Sequence, residues 1–221
     1  MDLSGAAVSK AAKQKELAQR WQGRTPEQQK IISYFFNSSG CFSSGLSDTA
    51  YESMVMAKAK SMDFKQKALN KIGLDESQVN EVTPIHFENY WWGDSDRDTN
   101  KFLCIRGKDG IWRTSAYQIT WIFFSSTQIY VYQYTFHMDE DGKKERTEEY
   151  FYKDITNFST ASDTVEKEIS IGKGVFRRQN VDTHKFSIIV PGDKFYCAMQ
   201  QNDYTEKAIQ GMKAKLREKK G

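Results

Sequence analysis

Proline and cysteine are scarce in this chain of 221 residues, with three of each. The cysteines, at 41, 104 and 197, form no CxxC pair and leave an odd one over, so the sequence gives no disulfide framework and points to a reducing compartment. No basic stretch followed by an apolar run opens the chain, so no secretory signal is expected, and the sequons at Asn37 and Asn157 are then chance occurrences. Long hydrophobic runs are missing too. The longest strongly apolar stretch is Trp121 to Phe124, far short of a membrane span. A cytoplasmic location is the expectation. Neither sign of charge dominates, with 32 basic against 29 acidic residues and a formal net charge of +3, too small to imply a general nucleic-acid or membrane binder. The mean hydropathy of -0.70 is low. Yet 14 Phe, 11 Tyr and 5 Trp supply large rings that bury much area apiece, so a packed core is expected over disorder.

The first eighty residues carry helical signals. Ala7, Ala11, Ala18 and Trp21 fall along one side of a first helix, with Gly23 after it. Thr25-Pro26-Glu27-Gln28 is a start signal: Thr25 caps, Pro26 needs no N–H at the first position, and Gln28 completes a capping box. Ile31, Ile32, Phe35 and Phe36 form an apolar stripe, and Asn37 to Gly40 ends it. A second box is read at Thr49–Glu52, ahead of Tyr51, Met54, Val55 and Met62 at near-helical spacing. Phe64, Ala68, Leu69 and Ile72 continue after a break near Ser61, and Gly73 is placed to stop the helix in a left-handed turn.

From Val82 the composition shifts to aromatic and β-branched runs separated by turns, the signature of antiparallel sheet. Ten candidate strand segments are read over 85–92, 102–106, 115–124, 128–138, 145–152, 155–160, 164–171, 175–180, 185–190 and 194–199. Residues 107–110 and 139–142 each end in a Gly suited to the positive φ of a hairpin turn. No segment serves as a parallel crossover. A last helix is expected from Asp203 as cap and Glu206 as box partner, with Ile209, Met212 and Leu216 as its buried stripe. The fold class is therefore α+β: helices over 1–81, then an antiparallel β-domain over 82–221 that ends in a helix.

Over about 102–216 the chain resembles a bacterial pleckstrin-homology-like (PH-like) domain. The cues are Tyr117-Gln118-Ile119-Thr120-Trp121-Ile122-Phe123-Phe124, the neighbouring strand 128–138, Tyr150-Phe151-Tyr152-Lys153-Asp154-Ile155 and the closing helix over 203–219. The resemblance implies a partly open barrel of about seven strands, or a curved sheet, capped by that helix. It brings no catalytic motif. The resemblance does not extend to the helical region over 1–81, for which no family is identified.

Motifs for chemistry are sparse. Asp94, Asp96 and Asp98 open like a calcium loop, but Thr99 and Ile105 stand where it needs Gly and Glu, so a solvated turn is read there. His86, His137 and His184 share no ligand spacing, and no Gly-x-Ser-x-Gly elbow is present. Glu145, Glu148 and Glu149 alternate with cations as on a solvated hairpin. Along 128–138, alternation puts Tyr130, Tyr132, Tyr134 and Phe136 on one side, a packing face for another element. The basic tail over 213–220 complements a helix dipole.

One basic turn stands apart. Gly172-Lys173-Gly174 followed by Arg177 and Arg178 makes Lys173, Arg177 and Arg178 the candidate ligand-binding residues, suited to an anionic headgroup. The sequence thus favours a non-enzymatic binding or scaffolding module for a protein or peptide. The alternatives are recognition of anionic lipid through that turn, or an enzyme assembled from dispersed residues. No cofactor, no metal and no nucleic acid are expected; a homo-oligomer is compatible with the sequence.

Overall fold

A computed structural model describes residues 10–36, 45–93, 102–170 and 176–220. Four helices come first: α1 (Lys10–Trp21), α2 (Pro26–Phe35), α3 (Asp48–Ser61) and α4 (Phe64–Ile72), followed by a 3₁₀ turn at Glu76–Val79. The strands are β1 (Val82–Tyr90), β2 (Cys104–Arg106), β3 (Trp112–Thr114), β4 (Ala116–Phe124), β5 (Gln128–His137), β6 (Lys143–Phe151), β7 (Asn157–Ser170), β8 (Phe176–Val190) and β9 (Asp193–Ala198), and α5 (Asp203–Lys220) closes the order. The α+β class and the terminal helix are as the sequence led us to expect. Among the described residues no helix is long and apolar enough to cross a membrane.

The Thr25 box forms: the Thr25 N–H donates to Gln28 Oε1 at 3.0 Å and the Gln28 N–H to Thr25 Oγ1 at 3.2 Å. Gly73 ends α4 with φ 74, the left-handed conformation that suits glycine. Other caps differ from the expectation. α3 starts two residues early, capped by Ser47, whose Oγ accepts from the Ala50 N–H at 3.1 Å. α5 is capped one residue earlier by Asn202, because Thr205 answers it: the Thr205 N–H donates to Asn202 Oδ1 at 3.0 Å, and the Asn202 N–H to Thr205 Oγ1 at 3.1 Å. In α1 Leu17 is buried and Trp21 packs beside it, while Ala18 is exposed and so does not face the core; Ala7 and the side chain of Ala11 lie outside what is described.

Two sheets carry the β-region. The first has the order β1-β4-β5-β6 and the second β7-β8-β9, all antiparallel, with β2-β3 as a separate hairpin inserted between β1 and β4. Two pairs of expected strands merge into longer ones, 155–160 with 164–171 and 175–180 with 185–190, and the strand expected from 115 begins at Ala116. No ladder joins the two sheets among the described residues, so the strands do not form a closed barrel.

The first sheet is buried on both faces, which is why β4 and β5 read as nearly unbroken apolar runs. On one face Tyr117, Ile119 and Phe123 of β4, with Tyr132, Tyr134 and Phe136 of β5, pack against Ile31, Phe35, Tyr51, Val55, Phe64 and Leu69 of the helices. The tyrosine side of β5 is therefore a packing face, and helices and sheet share one core. The opposite face carries Phe87, Ile122, Phe124, Ile129 and Val131, which meet Phe158, Phe186, Ile188 and Phe195 of the second sheet and Ile209, Met212 and Leu216 of α5. Each such side chain contributes roughly 1.5–3 kcal/mol when fully buried.

Polar residues on that inner face link the sheets. Gln133 Nε2 donates to the Tyr196 carbonyl at 2.9 Å, Asn89 Nδ2 donates to the Met199 carbonyl at 2.8 Å, and Gln118 takes the N–H of Ala198. Strand β9 thus finds partners for its outer backbone groups in side-chain amides rather than in another strand. This satisfies buried polar groups that would otherwise be costly.

Candidate functional site

Where α1 and α2 meet the turn between β5 and β6, the surface opens into a cleft of about 530 Å³. His137, the last residue of β5, has its backbone fixed on both sides. Its N–H donates to the Gly142 carbonyl at 3.1 Å, closing the turn, and its carbonyl accepts from Lys58 Nζ of α3 at 2.8 Å. The next N–H, of Met138, donates to Ser115 at 2.7 Å. Gly142 was read as a positive-φ position, but it does not adopt one; Gly110, in the other turn, does, at φ 81. A Cβ at 142 would lie 2.8 Å from Glu140 Oε1, the movable end of a flexible side chain, and in ordinary contact at 3.4 Å from the His137 ring.

The turn is clamped from the far side by α2 and the loop that leads into it. Arg24 Nη2 donates to Glu140 Oε2 at 2.8 Å, and Gln28 Nε2 to Asp141 Oδ1 at 2.8 Å. Aromatic and apolar walls come from Trp91, Phe102 and Ile32. Trp91 stands edge-on to both Phe102 and His137, at 5.8 and 6.2 Å between ring centroids. Lys143 adds a positive rim.

At the centre lie two buried polar atoms with no hydrogen-bond partner, His137 Nδ1 and Asp139 Oδ1. They are 4.0 Å apart, too far for a hydrogen bond, and Glu140 Oε1 lies 4.0 Å from the same nitrogen. Arg24 Nε is a third unpartnered buried atom. Burial pushes the Asp139 carboxyl above the usual carboxylate range, against the opposing hydrogen bond from the Ser115 side chain.

The sequence-derived candidates sit elsewhere. Lys173 lies outside the described residues, as do Asp94, Asp96 and Asp98. Arg177 and Arg178 are on β8, directly opposite Ile169 and Glu168 of β7. The histidines are not brought together: His86 stacks on Trp121 at 4.9 Å, and His184 Nδ1 shares a hydrogen bond with Ser162 Oγ at 2.8 Å. Among the described residues no group of three or more His, Cys, Asp or Glu could hold a metal ion. Cys197 is buried and its thiol is pushed up to about 12 by burial, so it is not a thiolate near neutrality.

Sequence reasoning weighed His137 only as a metal ligand, for which it shares no spacing with His86 and His184, and read Asp139 only as the start of a hairpin turn. The alternation along β5 does place His137 on the side of Gln133 and Thr135, away from the packed tyrosines. Comparison with known proteins finds no matching family model, no matching curated protein and no matching solved structure.

Proposed function

We propose that the protein is a non-catalytic binding module that takes an extended peptide segment in the cleft around His137. One observation carries the reading: His137 Nδ1 and Asp139 Oδ1 are both buried, both unpartnered and 4.0 Å apart in the same cavity. A buried polar atom left without a partner costs about 1–3 kcal/mol, so a ligand that supplies the partners gains that amount back. A peptide unit offers a donor and an acceptor close together on one rigid plane, which suits a carboxyl beside an imidazole. Trp91, Phe102 and Ile32 give its side chains an apolar wall, the combination of apolar lining and few polar groups found in ligand sites.

The same reading takes the β-region as PH-like. Support comes from the topology: β1 and β4–β6 run as one antiparallel meander, β7–β9 as a second, and α5 packs against the core between them. Counting β1, which precedes the stretch over about 102–216 that carries the resemblance, and leaving out β2-β3 as an insertion, this makes seven strands and a closing helix, in keeping with what the resemblance implies.

The test is selection of peptides from a displayed random library on the immobilised full chain, followed by titration of enriched sequences in solution. Enriched peptides are expected to bind saturably and to lose about tenfold or more in affinity with His137→Ala, in line with one lost buried hydrogen bond. Lys60→Ala, an exposed change on α3, should leave affinity intact. Failure to enrich any sequence, or equal affinity for the His137 variant, overturns the reading.

A further inference from the structure

The C-terminal half of α5 sorts its cations into two sets. Lys215 Nζ donates to Glu81 at 2.8 Å and to Glu218 at 2.9 Å, and Lys219 Nζ donates to Glu81 at 3.0 Å, so these two tie the helix to the segment before β1. Lys213, Arg217 and Lys220 make no ion pair with any described residue. Spaced by four and then three, they fall on one side of the helix. All three line a single open cavity of about 400 Å³, whose other walls are Thr156, Asn157 and Leu216.

Helix-dipole attraction accounts for basic residues near a helix end, but not for three of them gathered around one cavity while their neighbours are paired with carboxylates. Like charges at this spacing repel one another, and an anion entering between them would relieve that repulsion. Every polar residue of the lining carries a group able to donate: Lys213, Arg217, Lys220, Thr156 and Asn157. A guanidinium fork matches the paired oxygens of a phosphate, and the flanking lysines supply point charges.

We propose that this cavity binds a phosphate-bearing anion. The site is separate from the cleft around His137, and it is formed by elements other than the basic turn at Lys173.

The experiment has two arms on the full chain. Calorimetric titration with inorganic pyrophosphate and with inorganic triphosphate reads a soluble ligand. Sedimentation with phosphatidylcholine vesicles, with and without phosphatidylserine, reads a lipid headgroup. Each is repeated with Lys213→Ser, Arg217→Ser and Lys220→Ser combined, and with a control carrying Lys30→Ser, Lys60→Ser and Lys108→Ser. Both triple variants take the formal net charge from +3 to zero, so a loss confined to the first reports the cavity rather than overall charge. Wild-type binding in either arm is expected to weaken by at least about tenfold in the first triple variant and to remain in the control. It should also weaken as salt is added. Arg217→Gln alone, a milder change, should move affinity in the same direction. Absence of binding in both arms, or equal loss in the two triple variants, overturns the proposal.

Discussion

Gln118 Oε1 accepts a hydrogen bond at 2.8 Å from the backbone N–H of Ala198, joining the central sheet to the edge of the second one. The same side chain donates through Nε2 to Thr135 Oγ1 at 3.1 Å, so it is held at both ends and almost fully buried. Gln118→Leu would leave the Ala198 N–H without a partner in the core. The expected loss is about 1–3 kcal/mol, read as a lower urea midpoint with an unchanged slope. An unaltered midpoint would mean that these amides do not hold the sheets together.

The closing helix is tested at Ile209, buried with Met212 and Leu216 against both sheets. Ile209→Asp places a charge in an apolar site and should lower stability by more than about 3 kcal/mol, whereas Ile209→Val should cost about 0.5–1.5 kcal/mol. Equal melting temperatures for the two variants would remove α5 from the core.

Two carboxyls should give opposite pH dependences. Hydrogen bonds from Lys215 and Lys219 hold the Glu81 carboxyl at about 2, below its ordinary 4.5. The stability it contributes is present above 4.5 and is lost as pH falls through about 2. Glu81→Gln should therefore lower the melting temperature at pH 6, and the difference from the parent should shrink toward pH 2. Asp139 is displaced upward by burial, so its ionisation weakens the folded state as pH rises through the shifted value. For Asp139→Asn the melting temperature should gain on the parent as pH rises from 3 to 7. Parallel pH profiles for both variants would contradict these environments.

Much of the fold was legible because local chemistry determined it. Thr25 and Gln28, Gly73, and the stripe of Ile209, Met212 and Leu216 act within one or two helical turns, where sequence spacing equals spatial neighbourhood. The paired runs 115–124 and 128–138 likewise imposed a sheet. What remained hidden was long-range. Asn202 beat Asp203 as the cap because Thr205 could answer it. The cleft exists because Arg24, in the loop before α2, and Gln28, on α2, clamp the 139–142 turn from more than a hundred residues away in sequence. Neither the gap between His137 and Asp139 nor the split of α5 cations by Glu81 can be read from a local pattern.

The most direct test of the cleft as the ligand site is a two-dimensional NMR titration of the labelled full chain with a peptide obtained from the display selection. Saturable shifts should centre on the Trp91 indole N–H, the His137 ring and the backbone amides of 138–142, and the His137 resonances should register a new hydrogen bond at Nδ1. Shifts confined to α5 or to β7 and β8, with the Trp91 and His137 signals unmoved, would contradict the account.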